Sequence, residues 1–179
     1  MGGGGVREDL DFDGFVRERY DQLLRYAVML TGRRWDAEEV LQEALVRCLK
    51  RWRKVPADNA VAYARKAIYH EFLRSAKRKP LVTLDEIAGQ LDLEDFAGAV
   101  VAREHVLAVL QILPPRQRAA VVARFWLDLT EAQTAIELGC SVGTVKSLTS
   151  RGLAKVRETW KAGAVQHAQA VTSLERRWA

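Results

Sequence analysis

Apolar residues recur every three or four positions in several separate stretches of the chain, which is the spacing of amphipathic helices. The first such stretch predicts a helix that begins at Asp11 or Asp13 and runs to Leu30. Thr31 and Gly32 follow it, and glycine in this place commonly ends a helix. The pattern favours an all-α protein from its first element onward.

A second helix is predicted to begin with Asp36 as its N-cap and to end before Pro56. Its inward stripe comprises Leu41, Ala44, Leu45, Cys48, Leu49 and Trp52. Its outer face is acidic at the beginning and strongly cationic at the end, which suits a helix that holds a protein at one end and faces phosphate at the other. A third helix is predicted to follow Asp58 or Asn59 and to end at Pro80.

The third helix combines apolar positions with a cationic surface. We expect Val61, Ala64, Ile68 and Phe72 to pack inward. The surface positions are Arg65, Lys66, Tyr69, His70, Arg74 and Lys77. Aromatic rings interleaved with cations are typical of single-stranded DNA binding, because bases stack on the rings while the cations hold the phosphates. The alternative is an ordinary solvated basic face with the tyrosines in the core.

The stretch from Thr130 to Arg157 predicts a helix-turn-helix. Thr130 and Gln133 have the spacing of a capping box, which begins one helix, and Gly139 stands where that helix should end. Ser141 then caps a second helix after a very short connection.

The second helix of this pair has an apolar side and an outward side of small, hydroxyl-bearing and cationic residues. Such a face suits a helix in the DNA major groove, where hydroxyls and an arginine reach base edges and flanking donors reach phosphates. The candidate contacts with duplex DNA are Thr144, Lys146, Ser147, Ser150 and Arg151. Two ordinary core helices of a bundle are the alternative, but those usually show longer charged residues to solvent.

Charge divides the chain into three parts. Residues 1–79 carry a net charge of +5, residues 80–101 a net charge of −5, and residues 102–179 again +5. This layout indicates two nucleic-acid-facing modules joined by an acidic linker. The predicted parts are an unstructured tail over 1–10, helical domains over 11–79 and 102–158, the flexible linker over 80–101, and a tail over 159–179 that could form an amphipathic helix.

Between the linker and the helix-turn-helix, two further helices are predicted on either side of Pro114 and Pro115. The second of them is expected to direct its apolar residues toward the helix-turn-helix and to supply its core. Those residues are Val121, Val122, Phe125 and Trp126.

Cofactor and membrane chemistry find little support in the sequence. Cys48 and Cys140 show no paired framework, which favours a reducing cytoplasm, and the three histidines lack metal-ligand spacing. Neither a long apolar run nor a charged-then-apolar leader is present, so we expect neither membrane insertion nor export. No cofactor, metal or catalytic group is predicted.

With these parts in order, the chain is similar to the extracytoplasmic-function (ECF) sigma factors, a two-domain class of specificity subunits of bacterial RNA polymerase. The resemblance covers residues 12–158. In the first domain it is carried by YDQLLRYAVMLTG (20–32), DAEEVLQEALVRCLKRW (36–52) and AYARKAIYHEFLRSAKRK (62–79). In the second it is carried by LPPRQRAAVVARFWLDLTEAQTAIELGCSVGTVKSLTSRGLAKVRE (113–158). A lone helix-turn-helix occurs in many regulators, but these motifs in this order are specific.

The resemblance implies three sites. The acidic second helix would bind the clamp helices of the largest polymerase subunit through Glu39, Gln42 and Glu43. The third helix and the loop before it would hold the melted minus-ten promoter element through Asn59, Arg65, Lys66, Tyr69, His70 and Arg74. The helix-turn-helix would read the duplex minus-thirty-five element through the residues named above. The partners implied are the RNA polymerase core and promoter DNA, both duplex and single-stranded; whether an anti-sigma factor also binds stays open.

Two other functions compete with this one. A stand-alone regulator of the response-regulator effector type would use the same helix-turn-helix, but it would leave residues 36–79 unexplained. A nuclease would need clustered carboxylates for metal ions. The grouped acids of the chain are Asp85, Glu86, Asp92, Glu94 and Asp95, and they fall in the predicted linker, where a preorganised metal site is not expected.

Overall fold

A computed structural model describes residues 11–78 and 100–159, and within these two stretches every regular element is helical. The chain divides into two compact units, Met1–Lys79 and Pro80–Ala179. The prediction of an all-α fold is confirmed. The predicted N-terminal tail, most of the linker over 80–101 and all but the first residue of the tail over 159–179 lie outside the described residues.

The N-terminal unit contains three helices that pack against one another. They are α1 (Phe12–Thr31), α2 (Arg34–Arg51) and α3 (Ala60–Ala76), with short 3-10 turns at Trp52–Lys54 and Ala57–Asn59. Helix α3 contacts both α1 and α2. The largest fully buried side chains of this unit come from all three helices: Tyr26, Leu23, Leu30, Leu41, Ile68 and Cys48.

Helix α1 ends as its sequence predicts. Asp11 is the N-cap, and its side chain accepts a hydrogen bond from the amide of Asp13. At the other end Gly32 adopts a φ of 82°, a left-handed conformation in which glycine avoids the steric cost of a side chain. The first helix is therefore defined by local signals at both ends.

The predicted start of α2 is wrong. The helix begins at Arg34, two residues before Asp36, and its N-cap residue Arg33 makes no side-chain cap bond. Arg33 is extended, so the helix can begin directly after it, and the Arg34 Nε lies 3.0 Å from Glu38 Oε1 across the first turn. Asp36 then lies inside that turn, where a carboxylate still interacts favourably with the helix dipole.

The end of α2 is fixed by aromatic packing. The Trp52 ring centroid lies 5.0 Å from that of Phe12 and 4.6 Å from that of Phe15, both on α1. Such pairs stabilise beyond their area burial. Cys48 is fully buried nearby in sequence, and burial raises the pKa of its thiol to about 11, which confirms it as a small core residue.

The C-terminal unit contains α4 (Val100–Gln111), α5 (Pro115–Phe125), α6 (Glu131–Leu138) and α7 (residues 142–159). The turn between α4 and α5 is fastened by Arg118, whose Nη2 donates to the Gln111 carbonyl at 2.9 Å and to the Leu113 carbonyl at 3.2 Å. Burial lowers the pKa of Arg118 to about 10, so this guanidinium remains charged at neutral pH while it satisfies the end of α4.

The core of the C-terminal unit leaves the large rings at the end of α5 exposed. Val121 and Val122 are buried as predicted, but Phe125 is 62% exposed and Trp126 is 38% exposed, so their predicted core role is wrong. Helix α7 approaches α5 so closely that a Cβ on Gly152 would lie 2.7 Å from the Val121 Cγ2. The side chains nearest to that Cβ are those of Val121 and Gln117, which lie at least one turn before the large rings at the end of α5.

Candidate nucleic-acid interface

Helix α6 and helix α7 form the predicted helix-turn-helix. The capping box is present at both contacts, with the Thr130 amide donating to Gln133 Oε1 at 2.8 Å and the Gln133 amide donating to Thr130 Oγ1 at 3.2 Å. Gly139 ends α6 with a φ of 63°. The predicted boundaries of this motif are confirmed because each is set by neighbouring residues in the chain.

A chain of hydrogen bonds runs along the first turns of α7. Ser141 Oγ accepts from the Thr144 amide at 3.1 Å, and the two hydroxyls lie 2.9 Å apart. The Ser147 hydroxyl donates to the Thr144 carbonyl at 3.0 Å. These bonds provide a partner for a backbone amide at the helix start that has none within the helix, and they fix the positions of three hydroxyls.

Arg151 continues this chain one turn later. Its Nε donates to the Ser147 carbonyl at 3.2 Å, and its Nη2 donates to the Ser147 hydroxyl at 3.2 Å. A guanidinium has five N–H donors, so two are engaged in these contacts and the planar group is held along the helix with donors to spare. The Arg151 guanidinium is therefore ordered along the helix, with donors left for another acceptor.

The predicted duplex-facing residues share one exposed side of α7. Lys146, Ser147, Ser150 and Arg151 are exposed, and Thr144 is half-buried. Val145 and Gly152 on the opposite side are buried. Lys146 Nζ lies 3.5 Å from the Glu131 carboxylate at the start of α6, so one flanking cation is paired across the motif.

The α3 surface retains most, but not all, of the residues predicted for melted DNA. Asn59, His70 and Arg74 are exposed, and Arg65 and Lys66 are half-buried. Burial and the neighbouring charge of Lys66 lower the pKa of His70, so its imidazole is predominantly neutral at neutral pH.

The predicted exposure of Tyr69 is wrong. Its side chain is only 3% exposed, and its ring centroid lies 5.4 Å from that of His70. Helix α3 packs against two helices rather than one, so the buried sector of α3 is wide enough to include this position. Tyr69 belongs to the core in this structure and offers no free ring face for a base.

Sequence reasoning missed a buried acid on α3. Glu71 is 5% exposed, and its carboxylate forms ion pairs with Arg47 of α2 and with Arg74 one turn along α3. A lone glutamate in a cation-rich helix resembles a surface residue, and only the packing of α2 on α3 reveals its burial. No sequence signal available here could have identified it.

The outer face of α2 is a mixed acidic and apolar stripe. Glu39, Gln42 and Glu43, which were predicted to bind polymerase, are all exposed. Leu49 is 56% exposed, which contradicts its predicted place in the core, and Trp35 is 80% exposed. Spacings of four and three residues place Trp35, Glu39, Gln42, Val46 and Leu49 on one side of the helix. Exposed apolar residues beside polar ones are characteristic of protein docking surfaces.

Metal binding and membrane insertion are tested only where the chain is described. Over residues 11–78 and 100–159, no group of three or more histidine, cysteine, aspartate or glutamate residues could hold a metal ion. In the same stretches no helix is both long and apolar enough to cross a membrane.

Two family models match the two units. Sigma-70 region 2 matches residues 15–80, and Sigma-70 region 4 matches residues 103–156. The first match contains all of α2 and α3, and the second contains all of α6 and most of α7.

Curated relatives match most of the chain and most of their own length. RNA polymerase sigma-E factor of Streptomyces coelicolor is 37% identical over 155 residues, which cover 84% of this chain and 86% of that protein. Its counterpart from Streptomyces avermitilis is 38% identical over 156 residues, with the same two coverages. The ECF RNA polymerase sigma factor SigM of Mycobacterium tuberculosis is 31% identical over 149 residues, which cover 81% of this chain and 74% of that protein.

A solved structure supports the fold. The sigma factor RpoE from Bartonella quintana, crystallised with the anti-sigma factor NepR, superposes with a TM-score of 0.67 at 21% identity and covers 85% of this chain and 98% of its own. The two family regions, the extent of the curated matches and the all-helical fold all indicate the same family. The chain belongs to the ECF family of RNA polymerase sigma factors.

Proposed function

We propose that the two units divide promoter recognition between them, with α7 reading duplex DNA at the minus-thirty-five element and α3 holding the melted minus-ten element. The observation that carries this proposal is the different construction of the two surfaces. The α7 surface presents small hydroxyls and a preordered arginine, whereas the α3 surface presents mainly cations.

On the duplex, Arg151 and the hydroxyls of Thr144, Ser147 and Ser150 would contact base edges, because the small side chains allow close approach to the major groove. Lys146 would contact a phosphate beside them. Its pairing with Glu131 orients the ammonium, and surface pairing of this kind costs little to exchange for a phosphate.

On the melted strand, Asn59, Arg65, Lys66, His70 and Arg74 would hold phosphates and exposed bases. Unstacking a base step costs on the order of a few kcal/mol, so contacts made only with the open strand must offset that cost. Tyr69 is not assigned a stacking role because it is buried in the free protein.

On the polymerase side, the α2 stripe would dock on the core enzyme. Glu39, Gln42 and Glu43 supply charge and hydrogen-bond acceptors, and the neighbouring exposed Trp35 supplies apolar area. Aromatic residues in the middle of an interface commonly dominate its binding free energy. The core polymerase would supply all the chemistry of RNA synthesis, and this chain would act without catalytic groups, in the cytoplasm where the bacterial chromosome lies.

Run-off transcription with purified core polymerase tests the proposal. The reaction with the full-length protein should yield transcripts from a defined subset of genomic promoters, and the reaction without it should not. Absence of any protein-dependent start site would contradict the proposed function.

A double variant tests whether the α2 stripe binds the core enzyme. Exchanging Gln42 and Glu43 for alanine should weaken binding to the core enzyme while the free protein retains its weak, salt-sensitive binding to DNA. Equal loss of both activities would contradict the separation of the α2 stripe from the DNA-facing surfaces. An exposed position on α1, Arg25→Ala, supplies the matched control.

A further inference from the structure

Glu71 joins two arginines from different helices. Its Oε2 lies 3.2 Å from Arg74 Nη1 on the same helix, and its Oε1 forms an ion pair with Arg47 Nε of α2. The glutamate side chain is 6% exposed, whereas the arginine side chains are 47% and 43% exposed. A single buried carboxylate therefore holds two guanidinium groups next to each other at the surface.

The burial of this acid disfavours its ionised form. Burial raises the pKa of Glu71 above its ordinary value, although the charge of Arg47 acts in the opposite direction. A raised pKa in the folded state means that the folded protein favours the neutral carboxyl more than the unfolded chain does. The free energy of unfolding should therefore fall as the pH rises from the ordinary carboxyl range through the raised value. In this site the ionised carboxylate is therefore less favoured, relative to the neutral carboxyl, than it is in the unfolded chain.

The arginines retain capacity for another anion. Each guanidinium has five N–H donors, and Glu71 contacts Arg47 at Nε and Arg74 at Nη1. Both side chains are nearly half exposed, so their remaining donors can reach a ligand from solvent. Planar guanidinium groups that are already ordered lose less conformational entropy when they bind phosphate.

The position of the pair extends the cationic surface of α3. At about 100° per residue, Lys66, His70 and Arg74 fall in one sector of the helix. Arg74 lies at the side of this sector that is closest to Glu71, and Arg47 lies across Glu71 on α2. The cations of α3 are thus continued onto the neighbouring helix.

We propose that Glu71 is a positioning residue that holds Arg47 and Arg74 side by side as a binding site for phosphates of single-stranded promoter DNA. This inference rests on the proposed assignment of α3 to melted DNA, and it adds Arg47 of α2 to that surface. Its two ion pairs order both guanidinium groups before DNA binds.

The test measures the binding of holoenzyme, assembled with the full-length protein, to a fluorescein-labelled single-stranded oligonucleotide of mixed sequence. Affinity is recorded from ~50 to ~200 mM salt, since each phosphate contact with a single strand contributes about 0.7 to the slope of log affinity against log salt. Arg47→Ala and Arg74→Ala should each reduce that slope by about 0.7. Arg25→Ala, which removes the same charge from an exposed position on α1, should leave the slope unchanged.

Glu71→Gln separates positioning from folding. It should weaken oligonucleotide binding roughly twofold to tenfold, because two arginines lose their fixed orientation, and it should leave the temperature of unfolding at neutral pH unchanged or raised. Glu71→Asp should recover part of the affinity, because the negative charge is restored. Adding Glu71→Gln to the Arg47→Ala, Arg74→Ala double variant should cause no further loss.

Each contrary outcome has a distinct meaning. An unchanged salt slope in Arg47→Ala, together with a reduced slope in Arg74→Ala, would overturn this inference and leave the proposed function intact. Unchanged slopes in both variants would overturn the assignment of α3 to DNA as well. A lower unfolding temperature in Glu71→Gln, or weaker core binding in Arg47→Ala, would show that the cluster serves folding or protein docking instead.

Discussion

The two surfaces proposed to face DNA in this sigma factor are ordered by different means. On α7, hydrogen bonds between residues three or four apart order the hydroxyls and Arg151, so the surface depends on one helix and its cap. On α3, Arg74 is ordered through a buried glutamate that also binds a residue of α2. The surface proposed to read base edges is built locally, whereas the surface proposed to hold the melted strand is built across a helix–helix contact.

The contrast suggests how each surface should respond to change. Damage to the packing of the C-terminal unit should disturb the position of α7 without altering the short-range bonds along it. Damage to the α2–α3 contact should alter the α3 surface directly, because the contact and the surface share Glu71.

Gly152→Ala should give the largest loss of stability in the C-terminal unit. The added Cβ would lie 2.7 Å from the Val121 Cγ2, so the α5–α7 contact must open, at a cost of about 1–3 kcal/mol. Gly143→Ala is the matched control, because its nearest neighbour would be the Ser141 Oγ at 3.8 Å and alanine favours the helix by up to about 1 kcal/mol. Hydrogen exchange should show reduced amide protection in the C-terminal unit alone. An equal loss of protection in α1, α2 and α3 would contradict a local effect of the substitution.

Arg151→Ala and Arg74→Ala should separate base reading from phosphate holding. Loss of Arg151 should reduce discrimination between promoters by about 1–3 kcal/mol, because its proposed contact with a base edge is removed. Loss of Arg74 should weaken binding by a similar factor on every promoter. Competition binding of holoenzyme to a panel of promoter fragments measures both effects, and identical patterns for the two variants would refute the distinction.

Thr130→Ala should cost about 1 kcal/mol of stability, because the hydroxyl that accepts a hydrogen bond from the Gln133 amide is lost. Thr130→Ser retains the hydroxyl and serves as the control. Thermal unfolding followed by circular dichroism measures the difference. Equal stability of the two variants would mean that the cap contributes little to the start of α6.

His70 should make the α3 surface sensitive to pH. Its effect on free energy should be the smallest of those predicted for these surfaces. Its lowered pKa means that the folded protein becomes less stable as the pH falls below ~6.5, because the unfolded chain then binds the proton more readily. The charge gained at low pH should tighten binding to single-stranded DNA by less than about 1 kcal/mol. NMR titration should show a higher histidine pKa in Lys66→Ala, and an unchanged value would exclude Lys66 as a cause.

The helix-turn-helix could be predicted from the sequence because its determinants are local. Thr130, Gln133, Gly139 and Ser141 define the ends of α6 and α7 through contacts with residues at most five apart. Gly32 ends α1 for the same reason.

The wrong predictions involve residues whose environment depends on a third element. The burial of Tyr69 and the exposure of Leu49 depend on which sides of α1, α2 and α3 are covered by a neighbouring helix. Helical periodicity alone does not reveal how wide the covered side of each helix is. Phe125 is exposed at the end of α5, whereas Val121, one turn earlier, lies against Gly152 of α7. Glu71 became visible as a site residue only when Arg47 and Arg74 were brought to it.

Footprinting of one promoter complex provides the most direct test of the division between the two surfaces. At saturating holoenzyme, Arg74→Ala should retain protection of the upstream duplex and lose permanganate reactivity of unpaired thymines near the start site. Arg151→Ala should lose upstream protection and retain reactivity once its concentration is raised. If Arg74→Ala lost the upstream footprint while Arg151→Ala abolished strand opening at every concentration, the assignment of α7 to duplex DNA and α3 to melted DNA would be contradicted.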